Sequence, residues 1–275
     1  MLNTHSIFKK SRSNFALAFW GLPKDQRRAM EAVYSYCRTV DDIVDESPSI
    51  EKAKVELNHW KSAFAAWPHF SSVLPIHVAA ELEWAVQNFP IQKSDILWIL
   101  EGVEKDLYPT TYRTLEELLV YCDGVASAVG LCVLSIFGIE RKHAEKYAFA
   151  TGRALQLTNI LRDIESDAKR GRIYIPLTFL TAANLKQEDL KNPKYSPEFL
   201  NMAQAFAQKI WEFYKQSVAE SKELPVKQIW PAEVMRKTYL QIFQKICEKN
   251  YDVFSGKVSI GKLRKAWIAI SQPRA

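Results

Sequence analysis

Cysteine is scarce and scattered. Cys37, Cys122, Cys132 and Cys247 form no CxxC pair and no zinc-ligand spacing. That excludes a cysteine metal site and points to reduced, mostly buried thiols. Glycine is also scarce, at 9 in 275 residues, and no linker, low-complexity stretch or repeat occurs. A single domain over residues 1–275 is therefore expected. The five histidines are isolated. Glu-x-x-His, which a di-iron bundle repeats, occurs once, at Glu56–His59, where a surface pair is expected. The apolar charge-free run Gly124–Ile139 is too short for an ordinary membrane span of about 20 residues. Its Ala, Ser and Gly content predicts a closely packed core helix. Met1–Arg12 is polar and basic, and no secretory signal is expected.

What the chain does have is ordinary soluble composition, 48% hydrophobic and 25% charged. The 12% aromatic share, with 8 tryptophans, suits a bulky apolar interior or pocket; Trp60 and Trp67 are expected in the core. The net charge of +6 favours anionic partners. The basic residues are spread along the chain and build no nucleic-acid module, so nucleic acid is not an expected partner.

Helical periodicity dominates, and no alternating β series occurs. Helices are expected over Lys24–Arg38 and on through Glu46, Ile50–Ala66, Leu74–Gln87, Lys93–Lys105, Thr114–Phe137, Arg141–Asp167, Pro197–Lys222 and Ala232–Tyr251. Thr114 is a helix cap, with Glu117 three residues on. The fold class is all-α.

Two acidic devices stand out. Residues 38–46 read RTVDDIVDE. On a helix Asp41 and Asp45 are i and i+4 and share one face, with Arg38 three residues before Asp41. A bound cation would remove their repulsion; alone, the motif reads as a solvated acidic helix end. Residues 153–176 read RALQLTNILRDIESDAKRGRIYIP. Here Gln156, Asn159, Asp163 and Asp167 form one polar stripe, opposite Leu155, Leu157, Ile160, Leu161 and Ile164. Arg162, Lys169, Arg170, Arg172 and Tyr174 lie close by. Carboxylate oxygens suit Mg²⁺, which commonly bridges to phosphates, and arginines suit phosphate oxygens. Two such helices facing each other would hold a diphosphate and stabilise it as a leaving group. The rest of the pocket would be apolar and aromatic. Phe15, Phe19, Tyr36, Tyr121, Val125, Val129 and Phe137 are candidates by proximity to the motifs.

CRTVDDIVDE, YCDGVASAVG at Tyr121–Gly130 and LQLTNILRDIESDAKRGRIYIP together resemble the squalene/phytoene synthase family. The resemblance runs from SRSNFALAF to YDVFSGKVSIGKLRKAW. It implies an isoprenoid synthase fold, one helical bundle around a central cavity, and prenyltransferase activity. The implied reaction is head-to-head (1′-1) condensation of two prenyl diphosphates. By motif match Asp41, Asp45, Asn159, Asp163 and Asp167 would hold two to three Mg²⁺ ions. Arg38, Gln156, Arg162, Tyr174, Ser13 and Asn14 would meet the diphosphates. Tyr121 would sit beside the reacting carbons, and Phe15, Phe19, Val125 and Val129 would line the hydrocarbon pocket. Bulk at Phe15 and Phe19 is expected to favour C15 chains.

Within the family the chain is most similar to bacterial hopanoid-pathway members that make presqualene diphosphate from two farnesyl diphosphates. Squalene synthesis with NADPH, and phytoene or dehydrosqualene synthesis, remain open, as does NADPH use. A non-catalytic assembly factor of the same fold is expected to lose metal carboxylates, and all four are present. Two positions depart from the family pattern: Asn14 where serine is usual, and Lys257 where arginine is common. The tail GKVSIGKLRKAWIAI has two readings. The favoured one is a terminal helix packed on the core. The other is a basic amphipathic surface on an anionic bilayer, which would put a cytoplasmic protein at the inner membrane face. Co-sedimentation with anionic liposomes separates them.

Overall fold

The computed structural model describes residues 21–74, 76–256, 258–261, 264, 267 and 268. Helix α1 spans Lys24–Glu46; the Pro23 carbonyl accepts from Arg27 N at 2.9 Å, and Ala29, Val33, Tyr36 and Val40 are buried. Helix α2, Ile50–Ala63, is capped by Ser49, whose side chain accepts from Lys52 N. Helices α3, His77–Asn88, and α4, Lys93–Glu104, follow. Then come α5, Leu115–Cys122, and α6, Ala128–Ile136. Helix α7 is Arg141–Lys169, α8 is Leu177–Ala182, α9 is Pro197–Ser221 and α10 is Val226–Glu248. No strand occurs among the described residues.

Two expectations change in detail. Thr114–Phe137 is not one regular helix, because a π turn at Asp123–Ser127 separates α5 from α6. Arg153 of α7 anchors the turn: its Nε and Nη2 reach the two Asp123 oxygens at 2.8 and 2.7 Å, and Ser127 Oγ donates to Asp123 at 2.9 Å. Helix α10 begins at Val226, with Pro231 inside it, rather than at Ala232. Pro231 removes the hydrogen bond that the Lys227 carbonyl would accept and crowds that carbonyl with its ring, yet the helix continues through it. The Thr114 cap is present, accepting from Glu117 N at 3.4 Å. The Glu117 carboxylate reaches one residue further back, to Arg113 N at 2.7 Å.

Helix α7 runs between two apolar cores. One is built by α1–α4, α6 and the start of α10, the other by α5, α8, α9 and the end of α10. Trp60 and Phe64 pack on Tyr36 in the first, and Trp67 packs partly buried against it. The small residues after Asp123 let backbones approach closely. A Cβ on Gly152 would stand 2.6 Å from Ser127 Cα, a distance at which backbone must move. Gly152→Ala is therefore expected to cost about 1–3 kcal/mol or more, read as a lower urea midpoint. An unchanged midpoint would show that α7 and the π turn separate freely.

At the tail Ile268 is buried in the first core and Trp267 is exposed. Arg264 donates to Gln241 Oε1 at 3.0 Å and lies over the Trp267 ring. Ile268 thus follows the core-packing reading. Lys257, Lys262, Leu263, Lys265 and Ile270 lie outside the described residues, as do Ser13, Asn14, Phe15 and Phe19.

Candidate active site

A cavity of about 330 Å³ opens between α1, the π turn with α6, α7 and α10. Its apolar wall includes Val33, Val125, Val129 and Leu155; its polar part includes Arg38, Asp41, Gln156 and Asn159. Val125 and Val129 thus line it as expected. Tyr36, Tyr121 and Phe137 do not: Tyr121 is buried in the second core, and Tyr36 and Phe137 are buried in the first, where the Tyr36 hydroxyl donates to the Ile96 carbonyl at 3.0 Å.

The two acidic motifs share one mouth. Asp45 of α1 accepts from Arg172 Nη1 at 2.6 Å, across 127 residues of sequence. Arg170 reaches the same carboxylate at 3.8 Å. Arg162 holds Asp163 with two guanidinium nitrogens. Arg38 turns its guanidinium to Asp42 at 2.5 Å and toward Glu46 at 3.9 Å. It was expected on the Asp41 face; the i,i+4 spacing to Asp42 gives the closer carboxylate. Arg38 still lines the cavity.

Asp106, which follows α4, was not singled out by sequence. Its two oxygens accept from the hydroxyls of Tyr121 and Tyr174, both at 2.8 Å. The two rings stack with centroids 5.1 Å apart, and Tyr112 lies 5.9 Å from Tyr121. Burial, then the Asp106 charge, pushes the Tyr121 phenol well above its ordinary value. Tyr121 is therefore a firmly protonated donor. Tyr174, expected on a diphosphate, donates its hydroxyl to Asp106, since a buried hydroxyl takes a strong acceptor within reach.

The residues fit a hard divalent cation. Asn159 Oδ1 is buried without a donor, although its amide nitrogen reaches Gln156 Oε1 at 3.4 Å. The Asp41 carboxyl is exposed on the cavity side and crowded by neighbouring carboxylates. Loss of solvation there, then the Asp45 and Asp106 charges, pushes it up to about 7. Burial, then Asp163, likewise pushes Asp167 up to about 7. Oxygen-only donors with uncompensated charge suit Mg²⁺. Among the described residues no three His, Cys, Asp or Glu side chains already converge.

An acidic, arginine-edged mouth over an apolar helical cavity is the arrangement of a class of protein, the all-α synthases. The sequence profile of the Squalene/phytoene synthase family matches residues 8–264, and the chain belongs to that family, whose members are prenyltransferases. The presqualene diphosphate synthase of Zymomonas mobilis is 31% identical over 267 residues, covering 95% of this chain and 89% of that one. Phytoene synthase 3 of Zea mays is 31% identical over 269 residues, covering 94% of this chain and 62% of that one. The chain thus spans about three-fifths of the length of the plant relatives it matches. A crystal structure of a dehydrosqualene synthase with ligand superposes with a TM-score of 0.82 at 25% identity, covering 97% of this chain and 93% of that one.

Proposed function

We propose that the protein joins two farnesyl diphosphates head to head, giving presqualene diphosphate and free diphosphate. The observation that carries this is the shared mouth. Asp45 of the first motif contacts Arg172, five residues beyond Asp167 of the second, so two anionic heads would meet above one apolar wall. The likeness to a presqualene diphosphate synthase over most of both chains supports the C15 substrate.

In this reading the C1–O bond of one substrate breaks and its electron pair leaves with the diphosphate. The C2–C3 double bond of the second substrate attacks the allylic cation, and a C1 proton leaves as the cyclopropane closes. Asp41, Asp45, Asn159, Asp163 and Asp167 would hold Mg²⁺, which supplies charge to the leaving diphosphate. Arg38, Arg162, Arg170 and Arg172 offer guanidiniums to phosphate oxygens. Tyr121 keeps its proton on Asp106 and so turns a ring, not a base, toward positive charge; the proton goes to the released diphosphate. Val125, Val129 and Leu155 keep water from the cation.

The test is incubation with farnesyl diphosphate and Mg²⁺, with and without NADPH, and mass spectrometry of the products. A C30 diphosphate in both conditions is expected, and chelation of the metal should stop it. Squalene only with NADPH would move the protein to squalene synthesis. The second reading is phytoene synthesis, favoured by plant phytoene synthases of equal identity. Turnover of geranylgeranyl diphosphate alone would establish it.

A further inference from the structure

The cavity has a far end, and its lining residues fix where that end lies. The lining residues run in parallel order on three helices: Met30 to Asp41 on α1, Tyr147 to Asn159 on α7, and Ala232 to Tyr239 on α10. Helix α6 runs the other way. Ser127 abuts Gly152, and a Cβ on Gly130 would stand 3.4 Å from the Ala148 Cβ. Leu134, which also lines the cavity, therefore lies at the Tyr147 end. Asp41 and Asn159 mark the mouth; Met30, Leu134, Tyr147 and Ala232 mark the far end. Below it Gln26 Nε2 reaches the Ile136 carbonyl at 3.4 Å, tying α1 to the end of α6.

Tyr147 is the rigid part of this end. It is 1% exposed, and its hydroxyl donates to Glu233 Oε1 at 2.8 Å. Arg236 grips the same carboxylate through Nε at 2.7 Å and Nη2 at 2.6 Å. The Glu233 and Arg236 side chains are 11% and 5% exposed. Such a pair loses much solvation on burial, and it sits at the far end from the diphosphate chemistry. It does fix a ring. A buried phenol needs an acceptor, and one bound this way cannot move aside as a methionine could.

The depth follows from helix geometry. Twelve residues separate Tyr147 from Asn159, about 18 Å at the helical rise of ~1.5 Å per residue. With C–C bonds of ~1.5 Å each advancing the chain ~1.25 Å, the eleven main-chain bonds of a farnesyl group reach about 14 Å and the fifteen of a geranylgeranyl group about 19 Å. The shorter chain ends above the Tyr147 ring; the longer one meets it. We infer that Tyr147, held by Glu233 and Arg236, is the floor that restricts this protein to C15 chains. The inference rests on the prenyl diphosphate reading of the site.

The experiment compares kcat/KM for farnesyl and geranylgeranyl diphosphate in the parent, Tyr147→Ala, Tyr147→Phe and Met30→Ala. Tyr147→Ala should raise the C20-to-C15 ratio by about ten-fold or more, the size of discrimination that hydrocarbon pockets achieve. Tyr147→Phe keeps the ring but frees it from Glu233, and should raise the ratio by less than Tyr147→Ala does. Tyr147→Ala leaves Glu233 short of one donor, so Met30→Ala serves as a parallel deepening that spares the ion pair; it should move the ratio the same way. Circular dichroism confirms that each variant is folded. An unchanged ratio in the folded, deepened variants overturns the floor. Calorimetry with farnesyl and geranylgeranyl thiolodiphosphates reads the same preference without turnover. C15-selective binding with no turnover of either diphosphate would sink the condensation reading and keep the floor. Equal binding of both by the parent would sink the floor alone.

Discussion

Asp41→Asn is expected to stabilise the metal-free protein above pH 7 and to lower prenyl diphosphate turnover by about 10²–10³-fold, the loss typical when one electrostatic stabiliser is removed. Folded Asp41 keeps its proton up to about 7, whereas an unfolded aspartate releases it near 3.9. Between those values the folded state binds the extra proton, so stability declines as pH rises. The contribution is fully present below about pH 4 and is lost by about pH 7. Asp167 acts in the same window, through burial and then Asp163. Asparagine cannot ionise, so the variant loses the Asp41 share of this slope. Because Asp41 opens onto solvent, the effect is discounted to about 1–2 kcal/mol at pH 7.5. Urea unfolding of parent and variant from pH 4 to 8 measures it. Mg²⁺ at pH 7.5 should raise the parent midpoint more than that of the variant. A flat parent profile, or a variant weaker than the parent at pH 8, would contradict the account.

The parts legible in sequence are those whose logic is local. Apolar spacing set out α1, α7 and α9, and the Thr114 cap is a three-residue signal. The Asp41–Asp45 and Asp163–Asp167 pairs were visible because i,i+4 spacing alone puts their carboxylates on one face. The π turn at Asp123–Ser127 was not visible, because one widened turn barely disturbs an apolar pattern. It depends on Arg153, 30 residues away. Pro231 misplaced the start of α10, since the helix continues through this single proline. Asp106 was missed for a different reason. It has no carboxylate partner at helical spacing, and its tyrosines lie 15 and 68 residues away. Glu233 and Arg236 look like any exposed i,i+3 pair; only packing against Tyr147 reveals their burial. Arg172 was noticed as one charge in a basic cluster, but its contact with Asp45 spans 127 residues and needed coordinates.

Asp106→Asn should reduce kcat by about 10–100-fold, the usual effect of removing a group that orients others at a charged site, while leaving KM for farnesyl diphosphate nearly unchanged. Asp106 accepts two hydroxyls at once, and an asparagine offers only one acceptor oxygen and a competing donor. One tyrosine must turn away, which breaks the stack of Tyr121 on Tyr174. The charge beside Arg172 also disappears, leaving that guanidinium to Asp45. Burial raises the Asp106 carboxyl above its ordinary range, so removing its charge should offset much of the cost of the lost hydrogen bond at neutral pH. A merely structural role would show as a lower unfolding midpoint; a positioning role shows as a kcat loss in a stable protein. Tyr121→Phe supplies the second corner of a cycle. Because both changes act through one ring, the double variant should be little worse than Asp106→Asn alone. Losses that multiply would mean that Tyr121 and Asp106 act separately, and the carboxylate would then be tied to Arg172 and the acidic mouth rather than to the stacked tyrosines.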